Sequence, residues 1–447
     1  MRKTLAAIAA GVVLSATAHA GAATRREAQL EDLEFARTAY VEKSGALTPA
    51  ARRAALSFIE SVKMRAGTLS DEQFMAAVMQ IPAFANNGHD MFMFGGDAWL
   101  PPKRAPLRFI WFADALIVAR AAPGAADLLG ARVERIEGLT PAQLAERLRV
   151  AVGGTDEFRR WNVGWIIERG LLHGLGIARA SDALRLDLRL RNGRRVHRVV
   201  PFLPLSSVPP GVEMYRFWSG EPYAEEAKHG WRAAIDARNP PLYLAEPELL
   251  YRMARPEGTD ALYVQFRTND DPEHKVVEFV QEVEKRIERE QPQNLVLDLR
   301  FDTGGNIDLT RDLMRFIPAH VPGRIYTLIG QYTFSAGIVA AAAIKHDGGD
   351  RVVLIGDTVG DSLRWWSEAK DECLPNSHYC LRPTTGLWDL EKGCKGEAGC
   401  YGDAFDANVG SLEPQIRAPL TSAAWFAGRD PAMEAVRAEE GGREPSP

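Results

Sequence analysis

The sequence predicts an α/β protein of several domains: a helical N-terminal domain, a small α+β domain, and a larger domain of parallel strands and helices. Three observations predict this class. Helical patterns with capping residues fill the region before residue 95, short β runs fill residues 106 to 200, and strands alternate with helices from Leu262 to Gly356. At 447 residues, the chain has room for about three domains of ~150 residues each.

The first 20 residues are typical of an export signal. Arg2 and Lys3 precede an apolar run from Leu5 to Leu14, and Ala18-His19-Ala20 is a small-residue cleavage pattern. We therefore expect cleavage after Ala20 and a periplasmic or secreted mature protein. The apolar run is shorter than the roughly 20 residues that a spanning helix needs, and no later run approaches that length, so no membrane span is expected.

The charge balance argues against a nucleic acid partner. The formal net charge is -5, and loss of Arg2 and Lys3 with the signal makes it -7. No basic stripe that could follow a phosphate backbone is present in the sequence.

Residues 21 to 95 are predicted to form the helical domain. One helix runs from Arg26 to Val41. A second is opened by Thr48 as N-cap with Pro49 at its first position, and a third is opened by Ser70 with Gln73 three residues on. The turn residues from Asn86 to Asp90 indicate a loop.

Residues 96 to 205 are predicted to form the α+β domain. Asn192-Gly193 between two strands is a type I′ hairpin signal. The predicted elements are strands at Leu107 to Trp111, Ala115 to Ala119 and Ala131 to Glu137, a helix capped by Thr140, and strands at Ala183 to Leu190 and Arg195 to Val200. This order resembles a PDZ-type module with an insertion around residues 151 to 180; another small α+β domain is the alternative. A PDZ module would bind an extended peptide by strand addition.

Two further stretches are irregular in sequence. Residues 206 to 250 are rich in proline and aromatic residues and are interpreted as a linker or a covering segment. Residues 431 to 447 are charged and are expected to be a disordered tail after a domain spanning residues 251 to 430.

The four cysteines lie close together in an exported chain and are expected to form two local disulfides. A zinc site is the rival interpretation because His378 lies among them, but the spacings are not those of common zinc knuckles. Four cysteines allow three connectivities. They are Cys373, Cys380, Cys394 and Cys400.

In the last domain the alternation of strands and helices predicts parallel strands joined by crossovers. After the strand ending at Leu299, the pair Gly304-Gly305 allows backbone amides to point into a cleft. Ser335 opens an alanine-rich helix. This placement suits a plain N-cap, and it also suits a nucleophile whose oxyanion the helix dipole and the Ala336 amide would stabilise.

Together these segments resemble the tail-specific, or C-terminal-processing, serine peptidases of the S41 family. Asp298-Leu299-Arg300 with Gly304-Gly305 resembles D-L-R-x-N-x-G-G, with Asp302 in place of the usual asparagine. Thr333, Ser335 and Ala336 match T-x-S-A, residues 356 to 360 resemble G-E-x-T-G, and residues 374 to 377 match L-P-N-S. The resemblance covers roughly residues 250 to 420.

Membership of this family would imply a β-α spiral core similar to crotonase and Clp protease. It would also imply acyl transfer on polypeptide substrates without cofactor or metal. Ser335 would attack the peptide carbonyl, and amides at Gly304, Gly305 and Ala336 would hold the oxyanion.

The general base is the element that departs from the family. Asp361 and Ser362 occupy the stretch that carries the dyad lysine, and Gln265 stands on the strand where another branch has its histidine. Lys345 lies some ~15 Å along the helix from Ser335, and Lys370 would require the loop to fold back. The remaining candidate is His89, because Asn87-Gly88-His89 resembles the family's D-G-H-T segment.

His89 could instead be a hydrogen-bonded loop histidine. Glu368 could orient its imidazole or be an ordinary surface residue. Two functions therefore stay open: an active serine endopeptidase for unfolded or C-terminally exposed chains, and an inactive peptide- or ligand-binding relic. The sequence leaves the oligomeric state undetermined.

Overall fold

The computed structural model describes residues 24–163, 167–179, 182–209, 214–271, 275–401 and 407–441. The expected signal segment, residues 1 to 20, lies outside these ranges. Within them, none of the helices is both long enough and apolar enough to cross a membrane.

Capping residues set the starts of the N-terminal helices, as predicted. Thr48 accepts from the Ala51 amide, and Ser70 forms a reciprocal capping box with Gln73. The helix predicted from residue 26 to 41 changes to a π-helical turn after Ala36. The elements are α1 (Arg25–Ala36), the π turn (Arg37–Val41), α2 (Pro49–Lys63), α3 (Asp71–Ala83) and strand β1 (Phe92–Phe94).

An antiparallel sheet follows, with strand order β3-β4-β5-β6-β7. Its inward faces bury aliphatic side chains such as Val118, Leu184 and Leu186. Thr140 forms the predicted capping box with Gln143. The strands are β2 (Lys103–Arg104), β3 (Leu107–Trp111), β4 (Leu116–Ala121), β5 (Arg132–Ile136), β6 (Ala183–Arg189), β7 (Arg195–Pro201) and β8 (Leu203–Pro204); the helices are α4 (Pro141–Leu148), α5 (Asp156–Trp161) and α6 (Arg169–Gly174).

The β6-β7 hairpin is confirmed, but its predicted turn type is wrong. A type I′ turn needs positive φ at both central residues, and only Gly193 has it, at 84°. The Gly193 amide donates to the Leu190 carbonyl, and the Leu190 amide donates to the Arg194 carbonyl. The chain therefore uses a longer loop that closes with a left-handed glycine, one of the other common hairpin solutions.

Of the two interpretations of residues 206 to 250, the covering segment fits the structure. Tyr215, Trp218 and Tyr243 are buried in an aromatic cluster against the sheet. Glu226 is fully buried, and its carboxylate lies 3.2 Å from Arg120 Nε and 3.6 Å from Arg108 Nε. The elements here are α7 (Ala224–Lys228) and β9 (Arg232–Ala233), which pairs with β4.

The core of the last domain is the predicted parallel sheet, in the order β10-β11-β12-β13-β14-β19. Strand β10 pairs antiparallel with β11, and the others pair in parallel. The strands are β10 (Tyr251–Ala254), β11 (Leu262–Phe266), β12 (Leu295–Asp298), β13 (Ile325–Ile329), β14 (Val352–Gly356) and β19 (Ile416–Arg417); the helices are α8 (Val276–Glu290), α9 (Arg311–His320) and α10 (Ala336–Gly348).

Two small antiparallel ladders are built from the segment that follows β14, one of them with β1 as an added strand. One local disulfide joins two of these strands, and the other lies after the last of them. Cys373 is bonded to Cys380, and Cys394 is bonded to Cys400. The prediction of two local bonds is confirmed, and of the three connectivities the chain adopts the sequential one. The strands are β15 (Arg364–Ser367), β16 (Glu372–Cys373), β17 (Tyr379–Leu381) and β18 (Gly386–Asp389).

The expectation of a disordered tail from residue 431 is wrong for residues 431 to 441, while residues 442 to 447 lie outside the described ranges. Helix α12 (Pro431–Gly441) follows the short α11 (Ser422–Phe426) and buries Met433 and Val436 against the parallel sheet. Asp430 anchors its start, because both carboxylate oxygens accept from Arg300. Burial of this apolar face, which the charged composition masks, explains the order.

Candidate active site

Ser335 is held in an unusual backbone conformation at the start of α10. Its φ is 52° and its ψ is -122°, a region that side-chain-bearing residues rarely occupy. Ordinary N-caps are extended, and their side chains accept an amide of the first turn. The Ser335 hydroxyl makes no such bond to any amide in the described part of the chain. The plain N-cap interpretation therefore does not fit its geometry.

The neighbouring threonine explains part of how the turn is held. The Thr333 hydroxyl donates to the Leu299 carbonyl at 2.8 Å and accepts from the Gly330 amide at 3.0 Å. The Gly360 amide donates to the Thr333 carbonyl at 2.8 Å. The three segments of the family resemblance that contain Leu299, Ser335 and Gly360 thus meet around Thr333.

The glycine pair lies directly against Ser335. Gly304 and Gly305 have φ values of 99° and 133°, as the turn requires. A Cβ on Gly304 would lie only 2.6 Å from Ser335 Cβ, and one on Gly305 would collide with the Asp270 amide. Substitution of Gly304 would therefore push this loop away from Ser335, and substitution of Gly305 would push it away from Asp270.

Two of the three predicted oxyanion donors are available. The Gly304 amide is already used, since it donates to Asp302 Oδ1 at 3.0 Å, so the expectation for Gly304 fails. The Gly305 and Ala336 amides donate to no acceptor among the residues that the structure describes. Both residues line the same cleft as Ser335, which has a volume of about 530 Å³. Two free amides beside a serine are the arrangement that stabilises a tetrahedral oxyanion.

Asp302 supports this loop from below. It is fully buried, and its two oxygens accept from Asn269 Nδ2 at 2.9 and 2.7 Å. Its carbonyl accepts from the Phe334 amide at 3.0 Å. Burial raises the pKa of the Asp302 carboxyl to about 7, although the bonds from Gly304 and Asn269 act in the opposite direction.

The loop that carries His89 is fixed at both sides of the histidine. Asn87 binds the backbone of Trp366 twice, donating to its carbonyl at 2.8 Å and accepting from its amide at 3.1 Å. The buried Asp90 carboxylate accepts four hydrogen bonds at 2.6 to 2.9 Å. The donors are Tyr40, Ser44, Asn87 and Thr384.

The His89 ring is stacked on Phe334, the residue before Ser335. The ring centroids are 4.4 Å apart, and the planes are inclined by 17°. Both ring nitrogens are buried, and neither makes a hydrogen bond within the described residues. The nearest carboxylate oxygen is Asp361 Oδ2, 3.6 Å from His89 Nδ1. A hydrogen-bonded structural histidine would not leave both nitrogens unsatisfied.

Glu368 lines the Ser335 cleft but is not joined to His89. Its Oε1 accepts from the Ser367 hydroxyl at 2.9 Å and from the Trp388 indole at 3.4 Å. Among the described residues, the Asp361 carboxylate is the one that approaches a His89 ring nitrogen, at 3.6 Å. The structure thus gathers Ser335, Gly305, Ala336 and Glu368 around one cleft and brings His89 to the neighbouring Phe334.

Lys345 and the residue that stands at the other branch's histidine position both have structural partners elsewhere. Lys345 Nζ donates to the Ser411 carbonyl at 2.6 Å. Gln265 is fully buried and donates to the Tyr243 carbonyl at 3.2 Å. Sequence reasoning treated Asp361 only as a replacement for lysine. The signal that could have found it was a carboxylate directly after a glycine-bounded turn.

Comparisons with known proteins agree with this geometry at the level of fold. No family model matches the chain, and no curated protein matches its sequence. The structure of mature CPAF complexed with lactacystin matches with a TM-score of 0.61 and 11% identity, covering 94% of this chain and 98% of that chain. A second structure of mature CPAF gives a TM-score of 0.60 and 12% identity, with coverage of 93% and 97%.

The photosystem II D1 C-terminal processing protease matches with a TM-score of 0.41 and 13% identity, covering 92% of this chain and 96% of that chain. The parallel sheet was predicted from the sequence, and the glycine pair and Ser335 belong to the motifs that carry the family resemblance. This chain has the fold of the S41 peptidase family.

Proposed function

We propose that the protein is an exported serine endopeptidase that hydrolyses unfolded or C-terminally exposed polypeptides through an acyl-enzyme on Ser335. One observation carries the proposal. Ser335 is strained at a helix N-terminus, its hydroxyl caps no amide among the described residues, and two residues with unused amides line its cleft. Backbone strain at a residue of this kind is typical of a functional position.

His89 is the proposed base. As the Ser335 oxygen bonds to the substrate carbonyl carbon, the Oγ–H bond breaks and the proton passes to the imidazole. The Gly305 and Ala336 amides hold the negative oxygen of the tetrahedral intermediate. The imidazolium then protonates the leaving amine as the C–N bond breaks, and water, deprotonated by the same ring, releases the acyl group.

The domain assignments belong to the same proposal. Residues 96 to 205 act as a PDZ-like peptide-binding domain, and residues 251 to 430 are the catalytic β-α spiral, preceded by the helical domain. An open cleft of about 1140 Å³ beside β5, β6, β7 and the start of α4 supports a binding role for the middle domain. The two disulfides support an oxidising location such as the periplasm, with the signal removed after Ala20.

The inactive binding relic is the alternative, and one observation favours it. Neither ring nitrogen of His89 is hydrogen-bonded, so no base is engaged with Ser335 within the described residues. Catalytic hydrogen bonds are often loose before substrate binds, which is why the peptidase remains the preferred function.

Labelling with a fluorophosphonate probe separates the two functions. The mature protein is treated beside Ser335→Ala and His89→Ala variants, with Ser411→Ala, an exposed serine outside the cleft, as the matched control. A peptidase gives an adduct that maps to Ser335, persists in the control and disappears in the other two variants. Absence of any adduct on the folded wild-type protein would establish the binding relic.

A further inference from the structure

The turn after β14 brings a buried carboxylate to the candidate base. Asp361 and His89 are 272 positions apart, yet their side chains are only 3% and 10% exposed and face each other at 3.6 Å. Asp361 Oδ1 already accepts from the Ser362 amide at 2.9 Å. Asp361 Oδ2 accepts no bond within the described residues, so it is the oxygen available to the imidazole.

Gly88 makes this approach possible. A Cβ at this position would lie 2.9 Å from Asp361 Oδ2 and 3.1 Å from the Phe334 ring. Because glycine has no Cβ, the carboxylate can reach past the backbone to the ring of the next residue. The contact between Asp361 and His89 thus depends on the absence of a side chain at Gly88.

The other charged groups of this region do not compete for the ring. Asp90, next to His89 in the chain, is occupied by four donors from different segments. Glu368 accepts from Ser367 and Trp388. Phe334 and Trp365 cover the ring with aromatic carbon, at centroid distances of 4.4 and 6.3 Å. Asp361 is the charged group with a free oxygen that faces the imidazole.

We propose that Asp361 is the positioning residue of His89, an inference that depends on the proposed peptidase function. Its carboxylate accepts a hydrogen bond from the protonated Nδ1, which fixes the tautomer in which Nε2 is the unprotonated nitrogen. It also stabilises the imidazolium that forms when Nε2 takes the Ser335 proton, while remaining ionised itself. The stretch that carries a dyad lysine in related peptidases here orients a histidine instead.

The test measures the rate at which the fluorophosphonate labels Ser335 from about pH 5 to pH 9, where histidine titrates. Asp361→Asn keeps the shape and the bond from Ser362 but removes the charge. We expect labelling at neutral pH to slow by about 10²- to 10⁴-fold. We also expect Asp361→Glu, which restores a carboxylate, to recover part of the lost rate. A merely structural role would leave the labelling rate of Asp361→Asn, which keeps the native shape, close to that of wild type across this pH range.

Asp357→Asn is the matched control, since Asp357 lies on the same turn but pairs with Arg417. Gly88→Ala is a second variant that alters no titratable group and should also slow labelling, because its methyl group would displace the Asp361 carboxylate. If wild type is labelled and Asp361→Asn behaves like the control, Asp361 is not the positioning residue and the peptidase function stands. If folded wild type is not labelled at all, the peptidase function fails first. Should Asp361→Asn not fold, Gly88→Ala decides: normal labelling in it would overturn the inference.

Discussion

Replacement of Ser335 by glycine and by alanine should separate the effect of its strained backbone on stability from the effect of its hydroxyl on labelling. Both variants lose the hydroxyl, so both should lose labelling. At φ 52° and ψ -122°, alanine keeps the strain of the native residue, whereas glycine occupies this region freely. Such strain costs about 1 to 3 kcal/mol, and glycine loses about 1 kcal/mol through the greater entropy of its unfolded chain. The Ser335→Gly variant should therefore be more stable than Ser335→Ala by up to about 2 kcal/mol.

The assay is urea unfolding followed by tryptophan fluorescence, with the two variants compared at the same pH. Ser61, in α2, provides the matched control, because a helical position favours alanine over glycine by about 1 kcal/mol. The order of the two variants should thus reverse between Ser61 and Ser335. If alanine is the more stable replacement at both sites, the Ser335 backbone is not strained and the argument for a functional serine loses its main support.

Two other predictions concern buried charges. Because burial raises the folded-state pKa of Asp302 to about 7, above the unfolded value, its stabilising contribution is complete below about pH 4 and is lost as the pH rises through 7. Asp302→Asn should remove up to about 4 kcal/mol of this pH dependence. Unfolding free energies measured at about pH 4 and pH 8 should therefore differ less in the variant than in wild type. An unchanged difference would contradict the raised pKa of Asp302. Glu226→Gln should destabilise the fold by about 3 to 5 kcal/mol, because it leaves Arg108 and Arg120 buried without a counter-ion. The melting temperature of the variant measures this loss. A melting temperature equal to that of wild type would show that Glu226 does not pair with the two arginines in solution.

The elements that were predictable from sequence are those specified by nearby residues. Thr140 and Ser70 start helices because their side chains reach amides three residues away. Leu107–Trp111 is a strand with the predicted bounds, since its β-forming composition agrees with its burial. Local chemistry and tertiary structure point the same way at these positions, so sequence reasoning succeeds.

The features that the sequence did not predict depend on contacts between residues far apart in the chain. Asp361 meets His89 only after a parallel sheet and a helical domain have come together, and no local pattern encodes that contact. The C-terminal helix α12 looked disordered because its apolar residues are few, and its order comes from the sheet that buries them. The backbone angle of Ser335 is imposed by Gly304 and Thr333, whose packing is not readable from the T-x-S-A letters alone.

The four hydrogen bonds to Asp90 have a consequence for the order in which the proposed catalytic residues are assembled. Their donors come from the first helical segment, from the His89 loop and from Thr384, which follows the nucleophile in the chain. A polypeptide that emerges N-terminus first therefore exposes the histidine long before the partner that anchors its loop exists. With the proposed roles of His89 and Ser335, the immature chain carries no assembled base and nucleophile. With those roles, a chain that is still folding would be unable to cleave its own unfolded segments until Thr384 has bound the Asp90 carboxylate.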